Sequence, residues 1–369
     1  TPWRPSTSAN ESAIILAALE NSELTYEKKN ELNIGVALGF VDNRINVEFD
    51  WYRRNNFDLI GYTQTMGVGG VTTKLANDAT MESTGCEFTI STTNIKTKDF
   101  KWTTDWIFGW AENTITKLDS RSQVYSLVNG VGRTEGRPIG ALYSIPFAGL
   151  TEEGLPTFFI DAEHTQVVGP GNYAAIYFQE YENIDYLKYE GTIDPKITGS
   201  FGNTFSWKGL KLNVFFTYSF GNVLRLDNLC PVYSSDYSDL TASMKEMKNR
   251  WMVPGDENVT TIPSIPTVRQ MREIDALNNA YSAYNYSTER VAKGDFIRLK
   301  ELSLAYDLPK KYFEGQNAVS SFGVKLSATN LWLAYADKKL NGRDPEYYNT
   351  GGVSSPVPRQ FTLTVKLGF

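Results

Sequence analysis

The sequence predicts an all-β protein, a transmembrane antiparallel β-barrel, and three observations carry that expectation. The first is a series of period-two segments. The clearest is FTLTVKLGF at 361–369, where Phe361, Leu363, Val365, Leu367 and Phe369 alternate with Thr362, Thr364, Lys366 and Gly368. Successive side chains of a strand point to opposite faces, so this segment has one apolar and one polar face. The second is a strict alternation of short and long connections. The third is an aromatic content of 13% in a chain with no run of apolar residues long enough for a membrane helix. Barrel strands need about 9–11 residues, half of them polar, and leave a weak hydropathy signal.

The strands follow in order. LNIGVALGF (32–40) sets Leu32, Ile34, Val36, Leu38 and Phe40 on one face, and INVEFDWYR (45–53) sets Ile45, Val47, Phe49 and Trp51 against Asn46, Glu48, Asp50 and Tyr52. CEFTIST (86–92), KWTTDWIFGW (101–110) and LKLNVFFTYSF (210–220) repeat the pattern, with Lys101, Asp105, Lys211 and Asn213 on their polar faces. Weaker runs lie at 140–147, 155–161, 197–207, 297–306 and 322–332, which with 361–369 makes about eleven strands. The 297–306 run changes phase near Glu301, which predicts a bulge.

The connections at 41–44, 95–99, 151–154, 207–210 and 307–319 are short or modest; those at 54–82, 111–136, 162–194, 221–292 and 333–358 are long. Outer-membrane barrels have this asymmetry, with short periplasmic turns and long extracellular loops. Trp51, Trp102, Trp110, Trp207, Phe40, Tyr306 and Phe369 near strand ends suit an aromatic girdle. Glu48, Asp50, Lys101, Asp105, Lys211, Asn213, Lys325 and Lys366 suit a wet or plugged lumen. Eleven strands cannot close with the last antiparallel to the first, so residues 1–369 are expected to be about half of a barrel.

Four segments, in order, resemble the SusC/RagA-like TonB-dependent outer-membrane transporters. They are ELNIGVALGFVDNRINVEFDWYRRNNFDLI (31–60), DPKITGSFGNTFSWKGLKLNVFFTYSFGN (194–222), GDFIRLKELSLAYDLPKKYF (294–313), and the closing VSSFGVKLSATNLWL (319–333), GRDPEYY (342–348) and PVPRQFTLTVKLGF (356–369). The resemblance covers most of the chain. It implies the C-terminal half of a 22-stranded plugged barrel in the outer membrane of a Gram-negative bacterium. It also implies a plug and a TonB box outside this stretch, energy from TonB, and a SusD-like lipoprotein that captures oligosaccharides or, in some members, peptides. The terminal strand Phe361, Leu363, Val365, Leu367 and Phe369 resembles the signal read by the membrane-insertion machinery.

Composition narrows the remaining functions. A net charge of -6 argues against nucleic acid. The single histidine, His164, rules out a multi-histidine metal site, and Cys86 and Cys230 stand far apart without a CxxC. The pairs Glu152/Glu153, Asp161/Glu163 and Glu180/Glu182 read as solvated charge, and GVGG (67–70) is no nucleotide loop, so no enzyme, metal or cofactor is expected. In 221–292, Asp239 is placed to cap a helix carrying Leu240, Met244, Met247 and Trp251 on one face. Trp251, Tyr233, Tyr237, Tyr281, Tyr284, Tyr286, Tyr347 and Tyr348 are the candidate ligand contacts, since flat aromatics suit sugar stacking, although loop packing uses the same residues. A passive porin-like barrel and a soluble glycan-binding sandwich are the competing readings.

Overall fold

The computed structural model describes residues 21–67, 70–229, 245–309, 319–348 and 356–369, together with 2–3, 13–14 and 312. Nine long strands form one antiparallel sheet in chain order without a crossover. They are β1 (Lys28–Phe40), β2 (Ile45–Gln64), β3 (Thr73–Lys96), β4 (Phe100–Leu118), β5 (Ile197–Trp207), β6 (Leu210–Phe220), β7 (Phe296–Asp307), β8 (Ser321–Ala336) and β9 (Gln360–Gly368). The connections β1–β2, β3–β4, β5–β6 and β7–β8 leave one end of the sheet, and β4–β5, β6–β7 and β8–β9 leave the other. The β2–β3 connection, residues 65–72, shares that second end, so the three longest connections lie together there, although β2–β3 is shorter than β7–β8 at 308–320.

Register carries the alternation across the whole sheet. Trp51, Cys86, Trp110, Ile197 and Phe220 form one row of paired residues, and Phe100, Trp207, Leu210, Tyr306, Val324 and Val365 form another on the same face. Phe100 and Trp110 lie about 33 Å apart along β4, or about 25 Å in height at a 40° tilt, the thickness of an outer-membrane apolar band. Between the rows the face is mostly Val, Ile, Leu and aromatic, with Asn203 accepting hydrogen bonds from Trp102 and Thr104, and it is open: Leu363 is 66% and Leu32 55% exposed. An apolar face of this extent is solvated by lipid, not by water. Among the described residues the outermost strands β1 and β9 each have a sheet neighbour on one side.

Three expectations are corrected. The runs 140–147 and 155–161 are not strands of the main sheet. Ala141–Ser144 pairs with Lys188–Thr192, while Phe147–Leu150, Pro156–Phe159 and Val167–Val168 make a separate three-stranded sheet. All four residues of Ala141–Ser144 are buried, whereas a barrel strand keeps one face toward lipid. The turn 151–154 accordingly belongs to a small hairpin at the long-connection end. Second, β2 and β3 run on to Gln64 and from Thr73, through most of the expected loop 54–82. Beyond the membrane both faces of a ladder are wet, so RRNNFDLIGYTQ pairs without period-two hydrophobicity. Third, a 3₁₀ turn at Lys245–Asn249 stands where a helix was expected, and Asp239, Leu240 and Met244 lie outside the described residues. The expected bulge in 297–306 is present, between Leu299 and Glu301.

The two longest connections pack together into a lobe with its own core. Val124, Leu127 and Val128 of α1 (Val124–Val128), Phe158, Tyr173 and Ile176 from the first connection meet Leu277, Ala280, Tyr281 and Tyr284 of α3 (Leu277–Asn285) from the second. Ahead of α3, the helix α2 (Val268–Glu273) starts at a capping box in which Thr267 and Gln270 exchange side-chain and backbone hydrogen bonds.

Candidate functional site

The face opposite the apolar one is mainly polar, with Ile107 and Phe215 among the exceptions. Glu48 pairs with Thr89, Asp50 with Glu87, Asp105 with Ser91 and Gly202, Lys101 and Lys211 with Ser206, Asn213 with Thr204 and Ser303, Lys325 with Ala305 and Thr364, and Lys366 with Gly323. Paired residues share a face, so the register gathers all eight sequence-selected polar residues on one side. Local bonds order several of them. Ser91 Oγ donates to Asp105 at 2.7 Å, Thr204 Oγ1 donates to Asn213 at 3.1 Å, and Lys325 is 3.3 Å from Glu301. Phe361, Leu363, Val365 and Leu367 point to the apolar side, paired with Ala328, Leu326, Val324 and Phe322, and Phe369 follows the last paired residue.

The candidate ligand aromatics divide into two groups. Tyr281 and Tyr284 are 4% and 1% exposed in the lobe core, and the Tyr281 hydroxyl donates to the Ser264 carbonyl at 2.7 Å. Neither ring has a face open to a ligand, which corrects that expectation. Tyr286 is half-buried between Tyr125 and Phe178, with ring centroids 6.2 and 5.9 Å away. Trp251 lies over Gly154, whose positive φ and missing Cβ make room for the indole, and its Nε1 donates to Glu257 at 3.0 Å. These two pack the lobe. Tyr233 and Tyr237 lie outside the described residues.

Tyr347 and Tyr348 are placed differently. With Asp227, Arg298, Asn330, Arg343 and Arg359 they line a cavity of about 550 Å³ beside the long-connection ends of β7 and β8. Asp344 accepts from the Glu346 backbone N–H at 3.1 Å and opens the turn Pro345–Tyr347 that presents both tyrosines. Arg298, on the polar face of β7, holds this turn: its Nη2 pairs with Asp344 and lies 3.2 Å from Glu346. Arg343 pairs with Asp227 and stands 5.7 Å from the Tyr348 ring centroid. The cavity wall thus carries two ion-paired arginines, the further arginine Arg359 and two phenol rings.

Sequence reasoning missed the arginines that join the connections. Arg225 is partly buried and donates to the carbonyls of Ser287 at 2.9 Å and Val128 at 3.2 Å, and to that of Tyr143. It therefore ties the second connection to the first. Burial away from water pushes its guanidinium down to about 10, and the Glu190 carboxylate opposes that shift. Arg290 likewise pairs with Glu246 and donates to the Asp227 carbonyl at 2.6 Å. An arginine in a polar loop carries no sequence signal of this burial.

Among the described residues no group of three acidic, histidine or cysteine side chains is arranged to hold a metal. A continuous sheet with one lipid-type and one polar face, and a folded lobe over one end, defines the wall of an outer-membrane-type β-barrel. Comparison with known proteins agrees. The chain is 27% identical to TonB-dependent receptor P3 of Formosa agariphila, over 96% of this chain and 35% of that protein. It is 34% identical to TonB-dependent receptor SusC of Bacteroides thetaiotaomicron over 27% of this chain and 10% of that protein. The fold superposes on the RagAB peptide transporter with a TM-score of 0.73 and 24% identity, covering 100% of this chain and 38% of that one. No family model matches. The chain is SusC/RagA-like, a homologue of TonB-dependent receptors over most of its length, and it spans about a third of the relatives it matches over that length. These relatives are receptors and transporters, not enzymes.

Proposed function

We propose that this chain forms the C-terminal half of the barrel of an outer-membrane transporter that imports oligosaccharides. Its energy comes through TonB acting on a plug carried elsewhere in the polypeptide, and a SusD-like surface lipoprotein covers its long-connection end. The observation that carries the substrate reading is the cavity at that end, which Tyr347 and Tyr348 line together with the ion-paired Arg298 and Arg343. A neutral, hydroxyl-rich ligand suits such a wall, because phenol rings take the apolar faces of sugars and the paired charges take hydroxyls. A peptide is the second reading. The Arg343–Asp227 pair is about half exposed, so it can separate to meet a peptide's carboxylate and amine, and the similar RagAB is a peptide transporter.

The test is uptake of labelled oligosaccharides and labelled peptides by cells carrying the full-length protein, with and without the proton gradient. Import of the oligosaccharides alone, abolished by uncoupling, supports the reading; gradient-independent flux would reveal a passive pore instead. Tyr348→Ala is expected to weaken oligosaccharide binding about three- to tenfold, the scale of one aromatic contact. Tyr284→Phe, in the lobe core, leaves binding unchanged.

A further inference from the structure

The last rung of the β8–β9 ladder joins Thr329 to Gln360. The next residues beyond it are Asn330 and Arg359, and both line the cavity of about 550 Å³ that Tyr347 and Tyr348 share. Asn330 lies in the bulge between Thr329 and Trp332 with φ of 52°, an irregularity of the kind that re-aims a side chain. Arg359 follows Pro356 and Pro358, whose rings fix φ along its approach. The charges of the wall are unequally engaged. Arg298 holds two carboxylates, Asp344 and Glu346, and Arg343 holds a third, Asp227. Among the described residues Arg359 makes no ion pair, and it is exposed. Two further polar atoms of the lining are unmatched among those residues. The side-chain carbonyl oxygen of Asn330 and the Nε of Arg298 are buried without a hydrogen-bond partner, and Arg298 is itself 5% exposed.

We propose that Arg359 selects an acidic substrate: an oligosaccharide bearing a carboxylate or sulfate group, whose oxyanion meets Arg359 while its rings lie on Tyr347 and Tyr348. The proposal rests on the oligosaccharide reading and deepens it, adding one acidic group to an otherwise neutral chain. Three features carry it. A guanidinium presents donors in a planar fork that matches two oxygens of one oxyanion, and such charge-assisted bonds are about twice as strong as neutral ones. The carboxylates that line the wall, Asp227 and Asp344, are already held by Arg343 and Arg298, so neither is free to turn an incoming anion away. Asn330 Oδ1 accepts a hydrogen bond and cannot donate one, so it calls for a hydroxyl on the same ligand, which a bare inorganic anion does not supply.

The experiment measures binding to the full-length protein isolated from outer membranes in mild detergent. The probes are uronate-bearing and sulfated oligosaccharides, each matched to the same sugar with its carboxylate methyl-esterified or its sulfate removed, and acidic peptides of similar length. The acidic member of at least one pair is expected to bind about tenfold more tightly than its neutral counterpart at low salt, the scale of one hydrogen bond to a charged group. Arg359→Gln is expected to close that gap without weakening the neutral member, and the pair that responds tells carboxylate from sulfate. Equal affinities within every pair, or a gap that survives in Arg359→Gln, overturn the proposal and leave the oligosaccharide reading standing. Binding of peptides alone, or of no probe, sinks the oligosaccharide reading and the proposal with it. Should the variant fail to assemble, the wild-type protein decides through an arginine-directed dicarbonyl reagent, with labelling of Arg359 mapped by mass spectrometry. The acidic probe is expected to shield Arg359 and its neutral counterpart, at equal occupancy, to leave it reactive; equal labelling with both overturns the proposal.

Discussion

At Gly199 a Cβ atom would lie 2.2 Å from the Ile107 carbonyl oxygen and 2.4 Å from the Tyr218 hydroxyl. The Tyr218 ring lies across this bare backbone. Its hydroxyl donates to the Ile107 carbonyl at 2.9 Å and accepts from Trp106 Nε1 at 2.9 Å, stitching β6 to β4 over β5. Tyr52 covers Gly85 in the same way. The glycine forfeits packing and the aromatic restores it. Gly199→Val is expected to expel the ring and destabilise the barrel by about 1–3 kcal/mol. The check is the temperature at which the full-length protein loses its folded, fast-migrating band in detergent; an unchanged midpoint refutes the stitch. At the same scale, Tyr281 and Tyr284 show why residue type alone misled: tyrosine serves a ligand wall and a lobe core equally well, and only burial tells them apart.

Single elements are held by charges that their own sequence does not reveal. The turn Pro345–Tyr347 depends on Arg298, which is 5% exposed and pairs with Asp344 and Glu346. Arg298→Gln leaves a buried carboxylate without its cation, a loss of about 3–5 kcal/mol locally. Residues 338–348 are then expected to exchange amide hydrogens faster while β8 does not; equal protection in variant and wild type would refute the tether. The lobe is expected to respond to acid. The Trp251 indole N–H and the Gly255 backbone N–H hold Glu257 below the usual carboxylate range, and the backbone N–H groups of Glu182 and Tyr181 do the same for Glu180. Both carboxyls have lowered values in the folded state, so their contribution is complete above about pH 4.5 and is lost as pH falls through their folded values. Trp251 fluorescence is expected to change below that pH in the wild type and to lose most of that change in Glu257→Gln. A titration identical in both would assign the acid response elsewhere.

At the scale of the whole molecule the two faces of the sheet make opposite demands. Ile90 pairs with Val47 and Trp106 in the middle of the apolar band, and its neighbour Thr89 pairs with Glu48 on the polar face. Ile90→Lys is expected to cost about 2–4 kcal/mol of membrane stability, the scale for a lysine at the bilayer midplane. Thr89→Lys gains a carboxylate neighbour and leaves assembly intact. The amount of folded barrel in the outer membrane measures both, and equal yields would remove the distinction between inside and outside. The sequence by itself determined which main-sheet residues share a face and placed the tight turns at 41–44, 95–99 and 207–210, because side-chain alternation and turn chemistry act over a few residues. Tertiary structure decided the rest. Long-range pairing brought Asn330 and Arg359 to one cavity wall, and packing between the two longest connections drew 140–147 and 155–161 into a lobe. The same packing buried Tyr281 and Tyr284, and ladder bonds in water carried β2 and β3 past the membrane. The physical reason is range: period two records what faces lipid along one strand, and it carries no record of which distant strand or loop will lie beside it.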